Sequence, residues 1–353
     1  MRDVSCGLSL PDSQVMQNIQ VVLARRPDGE VTPECFALWE TEAAVPVDGD
    51  VLVRNIYLSC DPYMRGQLGD SNAYKSPFVL DEVIPARVVG QVEQSRHADF
   101  AVGDYVWGFL GWELYTCAKG GAGLRKVDKG LGPISHAISV LGMPGLTAYV
   151  GMMMIGAPRP GETAFVSAAS GAVGQVAAQL ARIHGARVVG SAGSDHKVAH
   201  LREHTRLDAA FNYKKTNLDA ALDEHCPDGI DVYFDNVGGA TLDAVLARLR
   251  HRGRVAICGQ ISQYNNRGDE YALRNATCIL GAKARVEGFS VRDNMHHFDE
   301  VIPQLADWLR RGELVYPEDI VDGIENTPAA FIGMMRGDNL GKRLVQVATD
   351  PTR

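Results

Sequence analysis

The chain has 353 residues, of which 46% are apolar and 7% aromatic. This is typical of a folded globular protein and is enough for two domains with separate cores. The net charge of −8 argues against nucleic acid or an anionic membrane surface as a partner. No run reaches the ~18 uncharged apolar residues of a membrane span, and residues 1–20 carry Asp3 and Asp12, so we expect no signal peptide and a cytoplasmic protein.

The seven cysteines are odd in number and widely spaced. They stand at positions 6, 35, 60, 117, 226, 258 and 278. The sequence contains no Cys-x-x-Cys pair of the kind that binds structural zinc. The spacing therefore favours free, reduced thiols.

The first third of the chain has the pattern of a β domain. Short β-rich runs occur at residues 17–23, 50–58, 86–93 and 104–109, with Pro, Gly and Asp between them. Short strands separated by turn residues are typical of an irregular barrel, and not of strand–helix–strand units.

From about Leu141 the pattern changes to alternating strands and helices. Strands are predicted at 163–168, 186–190, 208–213, 230–235, 254–258 and 284–289. Helices are predicted at 175–184 and 240–250, each with its apolar residues on one face. This order predicts an α/β fold with a doubly wound parallel sheet. A last strand at 342–348 is expected to return to the first domain.

The turn after the first of these strands carries a glycine pattern. Gly171 would let the backbone approach a pyrophosphate, and Gly174 would let helix and strand pack closely. The first glycine of the usual fingerprint is replaced by Ala169, so the motif alone is weak. Its strand–turn–helix setting predicts a dinucleotide site at the helix N-terminus.

The second strand indicates which dinucleotide binds. It ends in Gly190-Ser191-Ala192-Gly193, without the carboxylate that holds the ribose hydroxyls of NAD, and Lys197 follows. A lysine attracts a 2′-phosphate, so the pattern favours NADPH over NADH. Asp195 is the alternative, since it could be the missing acid displaced by a few residues. We expect Ser194 or Asp195 to cap a helix over 197–206 instead.

Six motifs, spread over nearly the whole chain, carry a family resemblance. They lie at residues 61–66 (Asp-Pro-Tyr-Met-Arg-Gly), 141–149, 168–174, 233–239, 258–265 and 337–342 (Gly-Asp-Asn-Leu-Gly-Lys). With these motifs the chain resembles the zinc-independent medium-chain dehydrogenase/reductases, in the branch of prostaglandin, curcumin and alkenal double-bond reductases.

The resemblance implies a domain division, a reaction and an assembly. Residues 1–140 and 317–353 would form a GroES-like catalytic domain around a Rossmann NADP-binding domain of residues 141–316. The reaction would be NADPH-dependent reduction of the double bond of α,β-unsaturated ketones or aldehydes. The protein would be a homodimer.

The resemblance also assigns the cofactor contacts. The pyrophosphate would lie on Gly171, Ala172, Val173 and Gly174, and the 2′-phosphate on Lys197 and Tyr213. The nicotinamide half would lie along Asn236, Cys258, Gly259, Gln260, Ile261, Ser262 and Gln263. Phe289, Ser290 and Val291 would flank the carboxamide, and Asn339 would close the site.

Two aspects of the reaction follow from its chemistry. Hydride addition to the β-carbon builds negative charge on the carbonyl oxygen, so a neutral donor is needed there. Tyr264 is the candidate, and the ribose 2′-hydroxyl of the cofactor is the alternative. The candidates for the substrate pocket are Tyr63, Phe109 and Trp112, with Trp107 and Tyr115, although core packing is the more common role of such aromatics.

Three features weigh on these assignments. The loop between Asn265 and Asn275 lacks the proline-rich stretch of many relatives, which puts a substrate lid in doubt. The histidines at 196, 200 and 204 share a helical face, but no carboxylate or cysteine motif accompanies them, so a solvated face is favoured over a metal site. Residues 84–90 (Ile-Pro-Ala-Arg-Val-Val-Gly) offer none of the zinc ligands of the metal-dependent relatives.

Two other functions remain open on the same scaffold. One is a quinone reductase or an alcohol dehydrogenase. The alcohol dehydrogenase is the weaker of these two alternatives, because the sequence lacks the ligands for its metal. The other is a non-catalytic NADPH-binding protein.

Overall fold

A computed structural model describes residues 16–69, 76–266 and 270–353. Residues 1–15, 70–75 and 267–269 lie outside the described residues. The first of these segments contains Cys6 and most of the stretch on which the expectation of no signal peptide rests. The last belongs to the loop between Asn265 and Asn275.

A six-stranded parallel sheet forms the centre of the chain. Its strands are Thr163–Val166, Arg187–Ala192, Ala209–Asn212, Ile230–Asp235, Leu249–Ile257 and Arg285–Gly288. In space they follow the order third, second, first, fourth, fifth, sixth, which is the Rossmann order. The six predicted strands and the doubly wound sheet are therefore confirmed.

Helices connect these strands and cover the sheet. They span Met143–Tyr149, Gly174–Ile183, Asp195–Glu203, Leu218–His225, Gly239–Leu246, Thr277–Ala282 and Phe298–Arg310. The predicted helix over 240–250 is wrong at its end, because Leu249 and Arg250 belong to the next strand. Leu249 pairs with Ile230 there, and an apolar residue in this position fits the periodicity of either element.

A second sheet of seven strands joins both ends of the chain. Its strands are Val51–Ser59, Pro85–Ser95, Tyr105–Gly111, Tyr115–Ala118, Arg125–Lys126, Glu318–Asp322 and Lys342–Gln346. The last strand pairs antiparallel with Val51–Ser59, which confirms the predicted return of the C-terminal strand. A two-stranded ribbon, Gln17–Leu23 with Phe36–Glu42, and the helices Met64–Leu68 and Thr327–Arg336 complete this part.

The core of this second part corrects one predicted pocket residue. Trp112 is fully buried and packs against Phe36 and Phe331. Its indole Nε1 donates a hydrogen bond to the Ser59 carbonyl at 3.1 Å. Trp112 is therefore a core residue and does not line a pocket, because both its apolar ring and its polar nitrogen are satisfied inside the domain.

Two further observations concern the whole described chain. Within residues 16–69, 76–266 and 270–353, no helix is long and apolar enough to cross a membrane. The six cysteines in these ranges are all free thiols.

Candidate active site

The cleft that can hold a ligand is fixed by the sheet topology. The first and fourth strands are neighbours at the centre of the sheet. From the first strand the chain continues to the second on one side, and from the fourth it continues to the fifth on the other side. Ligands of such sheets bind in the crevice between the two strands at which this direction reverses. Two hydrogen bonds tie the ends of these strands. The Asn236 backbone N–H donates to Ser167 Oγ at 3.0 Å, and Asn236 Nδ2 donates to the Ser167 carbonyl at 2.7 Å. The predicted residue Asn236 thus holds the crevice in shape.

The glycine turn lies directly after the first strand. A Cβ on Gly174 would stand 2.4 Å from the Ala168 carbonyl oxygen, so this position tolerates only glycine. A Cβ on Gly171 would meet only that same oxygen, at 3.3 Å, and its other side is open. Residues 171–173 are partly exposed at the N-terminus of the helix Gly174–Ile183, which is where a pyrophosphate would lie.

The C-terminal segment crosses this turn. The Gly341 N–H donates to the Ser170 carbonyl at 2.9 Å, and Asn339 Nδ2 donates to the Gly341 carbonyl at 2.7 Å. A Cβ on Gly341 would stand 2.1 Å from the Pro317 carbonyl oxygen, and its φ is +76°. This close approach brings Asn339 beside the glycine turn, where the sequence assigned it.

The adenosine end of the crevice is basic. A Cβ on Gly193 would lie 3.2 Å from the Tyr213 hydroxyl and 3.3 Å from Lys214 Cε, so both side chains border the end of the second strand. Lys197 lies nearby, largely buried, and its Nζ donates to the Gly337 carbonyl at 2.5 Å. Burial lowers the pKa of Lys197, with Lys214 acting in the same direction and Asp338 against it.

The two candidates for the helix cap are resolved. Ser194 is the cap, and its Oγ accepts a hydrogen bond from the Lys197 N–H at 3.4 Å. The Asp195 carboxylate accepts from Asn212 Nδ2 at 2.7 Å and from Lys215 Nζ at 2.5 Å. Asp195 is therefore held by an amide at the end of the third strand and a lysine just after it.

Lys197→Ala is expected to raise the KM for NADPH about tenfold or more and to change the KM for NADH little. A hydrogen bond to a charged group contributes about 1.5–3 kcal/mol, and only NADPH carries the 2′-phosphate. Lys215→Ala is the matched control, because Lys215 is an exposed lysine paired with Asp195. An equal loss for both cofactors in steady-state kinetics would refute the 2′-phosphate assignment.

The turn that ends the fourth strand organises the opposite end of the crevice. Asp235 is buried, and its Oδ1 accepts hydrogen bonds from the Tyr233 hydroxyl at 2.6 Å and the Gly238 N–H at 2.8 Å. Burial raises the pKa of this carboxyl, and these donors oppose the rise. The backbone N–H groups of Cys258 and Gly259 donate to the Asp235 carbonyl, so the segment after the fifth strand begins on this turn.

The predicted nicotinamide segment continues along the same turn. The Ile261 N–H donates to the Asn236 carbonyl at 3.2 Å, and Ser262 Oγ donates to the Val237 carbonyl at 2.7 Å. Gln263 Nε2 donates to Ser262 Oγ at 2.8 Å. Gln260 is exposed, whereas Cys258 is partly buried, and burial raises the pKa of its thiol to about 12. A neutral thiol at this position offers no nucleophile.

The last predicted cofactor residues follow the sixth strand. Phe289 packs edge-on against Phe234, with ring centroids 6.5 Å apart. Ser290 caps the short helix Val291–His297, and its Oγ accepts from the Arg292 N–H at 3.3 Å. Phe289, Ser290 and Val291 therefore lie where the sixth strand opens onto the crevice.

Tyr264 follows the nicotinamide segment and is joined to the other domain. Its hydroxyl accepts a hydrogen bond from the Gln260 N–H at 3.4 Å. The next residue, Asn265, accepts a hydrogen bond through Oδ1 from Arg65 Nε at 2.8 Å. Arg65 is buried, and its Nη2 donates to the Gly29 carbonyl at 2.6 Å. This link across 200 residues of sequence joins the segment that carries Tyr264 to the helix Met64–Leu68.

The predicted substrate residues Tyr63 and Phe109 both lie in the part of the fold that contains the second sheet. Tyr63 immediately precedes the helix Met64–Leu68, and burial raises the pKa of its phenol, so the hydroxyl stays protonated. Phe109 is 43% exposed on a strand of the second sheet. Cys60 is buried, and burial raises the pKa of its thiol to about 12, as expected of a structural thiol.

A buried ion pair fixes the loop that carries Tyr63. Lys342 is 1% exposed, and its Nζ donates to the Cys60 carbonyl at 2.6 Å and to Asp61 Oδ1 at 3.0 Å. The other carboxylate oxygen of Asp61 accepts from Ser59 Oγ at 2.6 Å. The returning C-terminal strand thus anchors the substrate loop.

The described part of the chain contains no cluster of three or more His, Cys, Asp and Glu side chains arranged to hold a metal ion. The ring centroids of His200 and His204 lie 5.1 Å apart on their helix. Burial lowers the pKa of His200, and both neighbouring histidines act in the same direction.

Sequence reasoning missed three residues at this site. Arg65 and Lys342 stand in the motifs at 61–66 and 337–342, but their contacts join segments distant in sequence. Lys214 directly follows Tyr213, and a lysine just after the third strand is the signal that could have revealed it.

Known proteins with the same architecture were compared with this chain. A family model described as the N-terminal domain of oxidoreductase matches residues 19–127, and one described as zinc-binding dehydrogenase matches residues 172–309. The NADPH-dependent curcumin reductase of Escherichia coli is 39% identical over 96% of this chain and 99% of its own length. The chain belongs to the zinc-independent medium-chain dehydrogenase/reductases.

Two more members of this family match most of the chain. The NADP-dependent 2-alkenal reductase of Nicotiana tabacum is 44% identical over 85% of this chain and 88% of its own length. The crystal structure of CurA from Vibrio vulnificus in complex with NADPH superimposes with a TM-score of 0.89, at 38% identity, over 94% of this chain and all of CurA. These matches confirm the family resemblance and the fold.

Proposed function

We propose that this medium-chain reductase uses NADPH to reduce the carbon–carbon double bond of α,β-unsaturated ketones or aldehydes. The observation that carries the proposal is the tyrosine at the end of the nicotinamide segment. That segment starts at the fifth strand, is bonded to the turn after the fourth, and ends in Tyr264. It lies at the same sheet edge as the basic end formed by Lys197 and Lys214.

The residues fit NADPH along its whole length. The open backbone at Gly171 suits the pyrophosphate, and the border formed by Gly193, Tyr213 and Lys214 suits the 2′-phosphate. Bound there, NADPH would supply the hydride. We propose the boundaries near residues 140 and 317 for the domains on either side of this crevice.

Tyr264 is proposed to act on the carbonyl group of the substrate. Negative charge develops on that oxygen as the β-carbon is reduced, and a phenol can donate a hydrogen bond to it without carrying a charge into the cleft. Arg65 acts on Tyr264 through Asn265, by holding the segment at a fixed distance from the substrate loop.

The experiment follows the loss of NADPH absorbance with three substrates of similar size. These are an enone, a quinone and a saturated aldehyde. Turnover of the enone at least tenfold faster than the other two is the expected result. Turnover of the quinone alone would identify a quinone reductase, and tight NADPH binding without any turnover would identify a binding protein.

We further propose a homodimer in the cytoplasm. The strand Arg285–Gly288 is an edge strand of the six-stranded sheet. Among the described strands it has a neighbour on one side only. Leu280, in the helix just before it, is 83% exposed. An unpaired edge beside an exposed apolar residue is a surface that a second copy can cover. The free thiols in the described ranges support a reducing compartment.

A further inference from the structure

Arg87 lies on the aromatic wall of the substrate side. It stands in the strand Pro85–Ser95 directly opposite Phe109, and opposite residues of an antiparallel pair lie on the same face of the sheet. Its guanidinium carbon is 5.6 Å from the centre of the Trp107 ring. The guanidinium of Arg87 thus lies over the ring of Trp107.

No carboxylate of the described residues pairs with this guanidinium. Arg87 makes no ion pair or side-chain hydrogen bond within the described ranges. Asp61 is within electrostatic reach, but its two oxygens accept hydrogen bonds from Lys342 and Ser59. Burial lowers the pKa of Arg87, and the exposed Arg292 acts in the same direction, whereas Tyr63 and Asp61 oppose them.

Arg125 provides an internal comparison. It lies over the same Trp107 ring at 6.0 Å and over Phe298 at 4.8 Å. Arg125 has a carboxylate partner, because its Nη1 is 3.7 Å from Asp299 Oδ1. Two arginines therefore share one indole, and Arg87 is the one without an ion-pair partner among the described residues.

We propose that Arg87 binds a carboxylate carried by the substrate, several carbons away from the reacting double bond. The preferred substrates would then be acidic enones or enals with an apolar chain. The guanidinium offers a planar fork of donors that matches a carboxylate, and Arg292 adds positive potential at this site. This inference rests on the proposed reductase function and names its substrate class.

The test compares three enals that differ only at the end remote from the aldehyde. They are (E)-8-oxooct-6-enoic acid, its methyl ester and (E)-oct-2-enal. For the wild-type protein, kcat/KM for the acid should exceed that for the methyl ester by about tenfold or more. Arg87→Gln should bring this ratio close to one, and Arg87→Lys should retain part of it. Arg125→Gln should keep the wild-type ratio.

Each ratio is measured within one protein, so a partial loss of folded enzyme cancels. A wild-type ratio near one, or an unchanged ratio in Arg87→Gln, would overturn the inference while leaving the reductase function intact. If none of the three enals consumes NADPH, the proposed function itself fails. A preference that weakens as ionic strength rises would support a charge contact.

Discussion

Replacing Tyr264 with phenylalanine is expected to lower kcat for an enone by about a hundredfold, with little change in the KM for NADPH. Removing one preorganised donor to a developing oxyanion costs ~10²–10³ in kcat. The hydroxyl lies on a segment held by backbone hydrogen bonds to Asn236 and Val237, so its position does not depend on the substrate. Steady-state kinetics at saturating NADPH measure this change in kcat.

Tyr271→Phe is the matched control for this variant. The Tyr271 hydroxyl donates to Asp243 Oδ2 at 3.1 Å and has no proposed role at the carbonyl group, so its loss should leave kcat within about twofold. If Tyr264→Phe behaved like this control, the charge on the carbonyl oxygen would have to be stabilised by another group. The ribose 2′-hydroxyl of the cofactor is the alternative that the sequence already offered.

The link between Arg65 and Asn265 allows a sharper version of the experiment. Asn265→Ala removes the acceptor at 2.8 Å from Arg65 Nε and should lower kcat by loosening the position of Tyr264. In the Tyr264→Phe background the same change should have a much smaller effect on kcat, because there is no hydroxyl left to position. Additive losses would show that Asn265 acts by another route.

Lys342→Met is expected to lower the free energy of unfolding by about 3 kcal/mol or more. Removing one partner of a buried ion pair leaves the other charge uncompensated, which costs ~3–5 kcal/mol. Lys342 is 1% exposed and is bonded to both the Cys60 carbonyl and Asp61. Urea unfolding followed by tryptophan fluorescence and by circular dichroism measures the change.

An exposed ion pair provides the comparison for Lys342. Arg336 lies 3.5 Å from Glu30, with side chains 61% and 69% exposed. Arg336→Met should therefore change the free energy of unfolding by less than about 1 kcal/mol. Equal effects of the two substitutions would contradict the view that Lys342 anchors the substrate loop from inside the fold.

Local patterns were sufficient to predict the nucleotide-binding half of the fold. Several strands there are largely apolar and are bounded by turn residues, as in Thr163–Val166, and the glycine turn at 171–174 indicates a dinucleotide site in its strand–turn–helix setting. The same information failed at Leu249, where an apolar residue suits both the end of a helix and the start of a strand. Only the pairing of Leu249 with Ile230 decides between the two.

The substrate side was less predictable because its contacts are long-range. Phe109 and Trp112 are aromatic residues three positions apart, yet Trp112 is fully buried and Phe109 is 43% exposed. Phe109 lies in the strand Tyr105–Gly111, whereas Trp112 follows that strand and packs against Phe36 and Phe331, which are distant in sequence. Arg65 reaches Asn265, and Lys342 reaches Asp61, across 200 and 281 residues of sequence.

The most direct test of hydride transfer to the alkene is to reduce an enone with NADPH that carries deuterium at C4 of the nicotinamide. The product is examined by NMR. The account predicts a saturated ketone with deuterium on the β-carbon, formed in step with NADPH oxidation. An allylic alcohol with deuterium on the former carbonyl carbon would contradict it. So would a product that contains no deuterium with either of the two cofactors labelled at C4, the 4R and the 4S epimer.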